Sequence, residues 1–263
     1  MDAGSNPVGP ISLKMNNVTC ESCNCEYSNS GIGHHWRQSS CDQPELSERQ
    51  KDIVTGILMG DGCIEKRTSG SILTIGMINK KFLEWVDSEF GILSTGVRKR
   101  STAKESALNA SNSGFRPNAE EENYHNVYTL RTRSLSDIDK FHEWYSSGKK
   151  IFPEIKFNPL LVKMWYCCDG GLSISKNGRA SLQITCKNES SRIEKLYKSF
   201  LDVGFDPTIT NSRTRLAFSV DDTDQLLNWM GSPVPGFEYK WENESYDQYK
   251  HSKQKTFNYL EQI

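Results

Sequence analysis

Apolar and polar positions in the first half of the chain predict a helix, a hairpin, a second helix, a second hairpin and a third helix. Ser47 is followed three residues later by Gln50, a capping-box spacing, so the first helix is expected to begin there and end at Asp61-Gly62. Residues 80–90 repeat apolar positions at helical spacing, and the loop of the second hairpin is polar, long and expected to be mobile. The predicted elements are helix 47–61, strands 63–67 and 72–75, helix 80–90, strands 97–100 and 127–133, and helix 137–145.

The second half of the chain repeats this order. Its predicted elements are helix 160–169, strands 172–175 and 181–186 around a turn at Asn177-Gly178, helix 192–203, strands 207–211 and 215–220, and helix 223–230. The pattern therefore predicts an α+β fold with an internal duplication. We assign residues 45–150 to the first repeat and residues 151–263 to the second.

Each repeat opens with an apolar run that closes on Asp-Gly, Val54 to Gly62 in the first and Val162 to Gly170 in the second. One Asp-Gly is a common turn dipeptide. Two of them, each ending an apolar helix before the same series of elements, indicate one functional carboxylate per repeat, Asp61 and Asp169. Paired carboxylates favour Mg²⁺, and the helix-end carbonyls of Gly60 and Cys168 would also be free to face a cation.

Gly56 and Gly60 lie four residues apart, on one face of the first helix. Each glycine costs a helix about 0.5–1 kcal/mol relative to alanine, so the pair indicates that another backbone approaches closely. We expect the partner to be the helix that ends at Asp169. Packed side by side, the two helices would bring both carboxylates together at one end.

These two segments resemble the paired motifs of LAGLIDADG homing endonucleases in their single-chain, two-repeat form. Val54 to Gly62 matches the motif well, whereas Met164 and Cys168 occupy its small-residue positions in the second repeat. The resemblance implies two αββαββα repeats whose four-stranded sheets form a β-saddle on double-stranded DNA. It further implies a monomer that cuts a long quasi-palindromic site, leaving 3′ overhangs, with two or three divalent cations held at the motif interface by Asp61 and Asp169.

The same resemblance suggests a catalytic lysine after the closing helix of each repeat. Lys150 and Lys240 occupy these places. The position after the threonine of the second strand, often glutamine in the family, is Cys186 in the second repeat.

Basic residues lie in or beside the predicted strands of both repeats, where alternate positions share a face. Such rows can follow phosphates and donate to base edges in the major groove. The candidate DNA-binding residues are Lys66, Arg67, Arg98, Arg100, Arg131, Arg133, Lys176, Arg179, Lys187, Arg213 and Arg215.

Charge and hydropathy limit the classes of partner. With 32 basic and 33 acidic residues the net charge is −1, which argues mildly against nucleic acid, although the acids cluster apart from the basic strands. No segment reaches the roughly 20 apolar residues of a membrane span, and no signal-peptide pattern begins the chain. We expect no membrane partner and an intracellular protein, in the cytoplasm or, for an organellar intron product, in the organelle.

Four of the eight cysteines lie within the first 41 residues, together with two histidines. After a leader, residues 1–17, that we expect to be disordered, residues 18–44 are too short and polar to fold on a core of their own. Cys20, Cys23, His35 and Cys41 would form a tetrahedral structural Zn²⁺ site, as in zinc-finger-like leaders of some homing endonucleases. His34 and Cys25 remain alternative ligands.

Two other functions remain open at this point. A non-cleaving nucleic-acid binder of the same fold, either an intron RNA maturase or a DNA-binding regulator, would tolerate loss of one acid, so retention of both favours cleavage. An intein-embedded nuclease would need an N-terminal Cys or Ser nucleophile and a His-Asn end, whereas this chain ends in Glu261-Gln262-Ile263.

Overall fold

The computed structural model describes residues 17–68, 70–114, 116–145, 150–175 and 179–241, and the chain divides into two units, 1–43 and 44–263. Residues 1–16 of the predicted leader lie outside the described part. In the first unit, strands β1 (Asn17–Thr19) and β2 (Glu26–Ser28) form an antiparallel hairpin that precedes helix α1 (Ile32–Gln38).

The first repeat of the second unit forms a four-stranded antiparallel sheet in the order β3-β4-β6-β5. Its elements are α2 (Glu48–Met59), β3 (Cys63–Arg67), β4 (Gly70–Met77), α3 (Lys80–Phe90), β5 (Ser94–Ser101), α4 (Ala103–Asn112), β6 (Val127–Thr132) and α5 (Ser136–Asp139).

The second repeat has the equivalent sheet order, β7-β8-β10-β9, and is also antiparallel. Its elements are α6 (Pro159–Asp169), β7 (Gly170–Ile174), β8 (Ala180–Thr185), α7 (Ile193–Leu201), β9 (Thr208–Ile209), β10 (Arg215–Ala217) and α8 (Val220–Met230). The predicted duplication of an α+β unit is confirmed, because both repeats share the order αββαββα, apart from the added α4 in the first, and pair their strands in the same spatial order.

Local signals explain the elements that were predicted well. Ser47 caps α2 by accepting from the Gln50 N–H, while the Gln50 side chain accepts from the Ser47 N–H, as the capping-box spacing indicated. Helix α3 has the predicted bounds, with Phe82, Val86 and Phe90 buried.

Three predictions of local structure were wrong in detail. The polar loop of the second hairpin contains α4, whose first turn is held by a capping box between Thr102 and Glu105. The closing helix 137–145 is a single α-helical turn, α5, followed by a 3₁₀ segment, Lys140–Tyr145. The strand predicted at 215–220 ends at Ala217 because Ser219 caps α8 by accepting from the Asp222 N–H.

Along its central strands, each sheet buries one face and leaves the other less buried. Leu73, Ile75 and Leu130 are buried on one face of the first sheet, and Leu182, Ile184 and Leu216 on the equivalent face of the second. We call the opposite, less buried face of each sheet its open face. None of the helices in the described part of the chain is both long and apolar enough to span a bilayer.

Candidate active site

Helices α2 and α6 pack in direct contact at the two glycines of α2. A Cβ atom built on Gly56 would lie 2.3 Å from the Leu161 carbonyl oxygen and 2.6 Å from the Met164 Cβ. A Cβ atom on Gly60 would lie 2.2 Å from the Cys168 Cβ. Real Cβ atoms do not approach heavy atoms so closely, so only glycine allows this helix pair.

This packing brings the two acids together. Asp61 follows the end of α2, and Asp169 is the last residue of α6. The Asp169 Oδ2 lies 3.6 Å from the position of a Cβ on Gly60, the residue before Asp61. The two helix ends therefore present their carboxylates at one seam.

Each acid at the seam resists ionisation. Burial and, second to it, the negative charge of Asp61 together raise the pKa of Asp169 to about 6, against the opposing effects of Lys150 and Lys240. The pKa of Asp61 is also raised, chiefly by desolvation of its carboxyl group, although the residue as a whole is exposed. The seam thus concentrates negative charge that a cation would stabilise.

Lys150 lies at this seam and bonds to the end of α2. Its Nζ donates to the Gly60 carbonyl at 2.8 Å, so the carbonyl that we predicted to face a cation accepts from an ammonium group instead. Burial lowers the pKa of Lys150, and the Asp169 carboxylate is the strongest of the charges that oppose this shift.

Lys240 is enclosed at the end of α6. Its Nζ donates to the carbonyls of Cys167 at 2.7 Å, Gly170 at 2.6 Å and Tyr166 at 3.2 Å. The ammonium lies 5.0 Å from the centre of the Phe237 ring, and only 8% of the residue is exposed. Lys240 therefore satisfies carbonyls at the C-terminus of α6 and compensates the negative end of that helix.

Strand pairing identifies polar neighbours of the acids that sequence patterns missed. Gln183 pairs with Gly171, two residues after Asp169, on the open face of the second sheet. Thr74 pairs with Cys63, two residues after Asp61, at the equivalent place in the first sheet. Cys186, which we assigned to the glutamine position of the family, is instead buried beyond the end of β8. The assignment failed because register, not distance along the chain, decides which strand residue faces the acids.

Four of the predicted arginines lie on the open face of the first sheet. Arg131 pairs with Thr74, and Arg98 pairs with Thr129. Arg67 bonds to Glu65 on the same face of β3. Arg100 follows a β-bulge, and its Nη1 lies 3.6 Å from where a Cβ on Gly76 would project.

The other two basic residues predicted in the first repeat do not lie on the open face. Lys66 pairs with Ser71, whose side chain is fully buried, so Lys66 projects from the face opposite Arg67. Arg133 lies beyond the end of β6, is half-buried, and donates from its Nε to the Ile92 carbonyl at 2.7 Å.

In the second repeat, Arg215 lies on the open face, opposite Thr185. Arg213 does not alternate with it along one strand, because Arg213 occupies the turn before β10 with a φ of 54° and forms an ion pair with Glu194 on α7. Arg179 and Lys187 are exposed at the ends of β8. Lys176 lies outside the described residues.

The four predicted zinc ligands meet in the first unit. The sulfur atoms of Cys20, Cys23 and Cys41 and a ring nitrogen of His35 all lie within 4.8 Å of one another, the one such Cys/His/acid cluster in the described residues. His35 Nε2 is 3.5 Å from the Cys23 Sγ, and its ring stacks on Tyr27. The pKa of Cys23 is lowered to about 7, chiefly by the backbone N–H of Cys25. This donor set suits a metal that binds thiolate and imidazole.

The chain is similar to one protein family and to several solved structures. A model of the LAGLIDADG DNA endonuclease family matches residues 51–226. No curated protein matches the chain. Among solved structures, the homing endonuclease I-WcaI bound to its DNA recognition sequence has a TM-score of 0.60 at 16% identity, over 81% of this chain and 93% of that one, and therefore shares the fold.

Two further structures were matched with lower similarity. I-GzeII in complex with its DNA target has a TM-score of 0.40 at 12% identity, over 72% of this chain and 86% of that one. I-SmaMI bound to an uncleaved DNA target with calcium ions has a TM-score of 0.39 at 15% identity, over 74% of this chain and 87% of that one.

Proposed function

Because the chain belongs to the LAGLIDADG DNA endonuclease family, we propose that it is a site-specific homing endonuclease that cuts both strands of one duplex site. The observation that carries the proposal is the seam, where two glycines let α2 and α6 bring Asp61 and Asp169 together. The duplex would lie along the open faces of both sheets. Since one chain already contains both acids, we propose that it acts as a monomer.

The residues at the seam fit a divalent cation. Two carboxylates with raised pKa values lie at the ends of the paired helices, and carboxylate oxygens are the ligands that Mg²⁺ prefers. Asp61 and Asp169 would hold the cations, which supply charge for the phosphate and an activated water when bound. The Gly60 carbonyl is a weaker candidate ligand than the sequence suggested, because it already accepts from Lys150.

The protein's own groups supply the remaining electrostatics. Lys150 is half-buried at the seam, so its ammonium can stabilise negative charge that develops on a phosphate in the transition state. Lys240 acts indirectly, through helix α6, which carries Asp169. Its ammonium donates to three carbonyls at the end of that helix. The family resemblance supports a quasi-palindromic site and 3′ overhangs, because each acid would serve one strand across the pseudo-symmetric seam.

The test replaces each acid in turn. Asp61→Asn and Asp169→Asn remove one negative charge with little change in size, so cleavage with Mg²⁺ should fall below detection while duplex binding remains. The assay follows supercoiled plasmid carrying a selected site, with binding measured separately in EDTA. Asp202→Asn, at the exposed end of α7, serves as a control for loss of an acid outside the seam.

Full cleavage by either aspartate variant would remove that residue from the mechanism. Tight binding of the wild-type protein without cleavage of any bound site would favour the non-cleaving binder instead. Blunt ends or 5′ overhangs in the mapped products would contradict the proposed geometry of cutting.

We also propose that the cluster of Cys20, Cys23, His35 and Cys41 holds a structural Zn²⁺. Four protein ligands complete a tetrahedron and leave no open coordination position for chemistry. Purified protein should contain one zinc ion per chain, and Cys20→Ser should lose it while Cys25→Ser keeps it. Retention of zinc by Cys20→Ser, or its absence from the wild-type protein, would reject this site.

A further inference from the structure

The open faces of the two sheets differ in chemistry. On the first sheet, the four arginines lie around a central strand whose open-face positions are Ile72, Thr74 and Gly76. On the second sheet, the described open-face residues include two arginines among hydroxyl, amide and small side chains. Within the strands these residues are, by register, Gly171, Ser173, Ser181, Gln183, Thr185, Thr208, Arg215 and Ala217. Arg179 extends the same face one residue before β8, because its carbonyl accepts from the Ser175 N–H in continuation of the strand pairing.

The arginines of the first sheet fall into two groups. Glu65 holds Arg67 at 2.6 Å and Arg131 at 3.4 Å, which fixes two guanidinium groups above the sheet. Arg98 and Arg100 have no ion pair within the part of the chain that the structure describes. This face therefore carries both preorganised and freely available guanidinium groups.

Of the two arginines on the open face of the second sheet, Arg215 is engaged by its own neighbour, because its Nη1 donates to the Gln183 Oε1 at 3.3 Å. Arg179 is exposed at the start of β8. The groups between these two arginines are neutral, so they gain little from phosphate charge. Guanidinium forks favour guanine, which presents two acceptors in the major groove, while hydroxyl groups discriminate poorly between bases.

Resting on the proposed DNA binding, we propose that the two halves of the target are recognised by different chemistry. The half-site under the first sheet is specified by guanines that Arg67, Arg98, Arg100 and Arg131 contact. The half-site under the second sheet is specified by fewer guanines and contributes less of the affinity. The quasi-palindromic target is thus asymmetric in base composition, and Glu65 acts as a positioning residue.

The experiment selects bound sequences from duplexes with a long randomised segment, in EDTA so that nothing is cut. Wild type is compared with Arg98→Lys, with Glu65→Gln, and with Arg215→Lys as the matched control on the other sheet. Lysine keeps the charge for a phosphate contact but loses the bidentate fork. Thermal unfolding checks that every variant is folded.

We expect most of the wild-type guanine preferences to lie in one half of the selected site. Arg98→Lys should lose one of them and bind the wild-type site roughly tenfold more weakly, as expected for loss of a bidentate base contact. Glu65→Gln should weaken other guanine positions of the same half and leave the Arg98 position unchanged. Arg215→Lys should change no guanine position.

The outcomes separate this inference from the proposed function. Guanines spread evenly over both halves, or full retention of every guanine by Arg98→Lys, would overturn the asymmetry while leaving an endonuclease that binds and cuts its selected site. If no duplex is enriched at all, both proposals fail.

Discussion

The two helices at the seam pack closely, but one contributes glycines to the contact and the other contributes larger side chains. Helix α2 presents Gly56 and Gly60, whereas α6 presents Met164 and Cys168. Close approach requires that the combined volume of the two facing side chains be small, so a glycine on one helix permits a methionine on the other. Met164 is fully buried there and fills the volume that the glycine leaves.

The lysines after the two repeats differ in the same manner. Lys150 donates to the Gly60 carbonyl at the seam, whereas Lys240 donates to three carbonyls inside the protein. The backbones of the two repeats correspond, but the lysines at matched positions lie in different environments and make different contacts. Pseudo-symmetry of the fold therefore does not require equal roles at matched positions.

The largest expected effect is on the enclosed lysine. Lys240→Met keeps the apolar stem but leaves three carbonyls without their donor, and we expect a loss of about 4 kcal/mol in the free energy of unfolding. Urea denaturation measures it. An equal loss for Lys150→Met would show that the two lysines are structurally equivalent after all.

The asymmetry of the seam is tested at Gly56. Gly56→Ala places a Cβ against the Leu161 carbonyl oxygen, a backbone atom that cannot rotate away, so we expect destabilisation of about 3 kcal/mol. Thr55→Ala, on the same helix, is the control and should change stability by less than about 1 kcal/mol. Equal effects at both positions would mean that the helices can separate without cost.

The catalytic side of the comparison is tested at Lys150. Lys150→Met should slow cleavage about 100-fold, because the transition-state charge loses its nearest ammonium group, while DNA binding in EDTA stays within about threefold. Single-turnover cleavage rates supply the measurement. An unchanged rate would assign Lys150 a structural role like that of Lys240.

Two threonines accept equivalent hydrogen bonds from buried amides, one in each sheet, so their contributions to stability can be compared. The buried amide of Leu73 donates to the Thr132 hydroxyl at 2.9 Å, and the equivalent amide of Leu182 donates to Thr223 at 2.8 Å. Thr132→Val and Thr223→Val should each cost about 1–2 kcal/mol in unfolding free energy, since each leaves a buried N–H unpaired. Thr223→Val should cost more, because its hydroxyl also donates to the Ser219 carbonyl.

The smallest effect concerns how the segment before each seam helix is held. The Asp137 carboxylate accepts from the Leu46 N–H at 2.8 Å and from Lys140 at 2.6 Å, and these contacts lower its pKa. A lowered folded-state pKa stabilises the protein above the unfolded value, and this contribution is lost as pH falls through the folded value. Asp137→Asn should therefore cost about 1 kcal/mol at pH 7 and less below about pH 4, by urea denaturation at both pH values.

An equal cost of Asp137→Asn at both pH values would show that the charge of Asp137 is not what matters. The second repeat provides the contrast, because the segment before α6 is anchored by Asn158, whose side chain donates to Asp52 on α2 at 2.8 Å.

Much of the fold followed from short-range signals. The capping box at Ser47, the apolar stripe of α3 and the two Asp-Gly ends predicted elements whose positions the structure confirms. Helix α4 was missed because its surface is polar along most of its length, so it lacks the apolar periodicity that identifies a packed helix.

The candidate site was predictable only in part, for a similar reason. The paired acids are marked by repetition along the chain, whereas Gln183 and Thr74 become neighbours of those acids only through strand register. Alternation assigns strand residues to faces, but it does not say which residue of the next strand lies opposite. Arg213 shows the limit, since a turn with positive φ took it off the predicted strand face.

The order of elements, the duplication and the identity of the two acids are written in the sequence, because each depends on neighbours within a few residues or on a pattern that occurs twice. Tertiary structure alone decided which lysine is enclosed, which arginines share an open face and which strand residues lie opposite one another. Those properties depend on distances between segments remote in sequence, which are set by packing of the whole core rather than by any local preference.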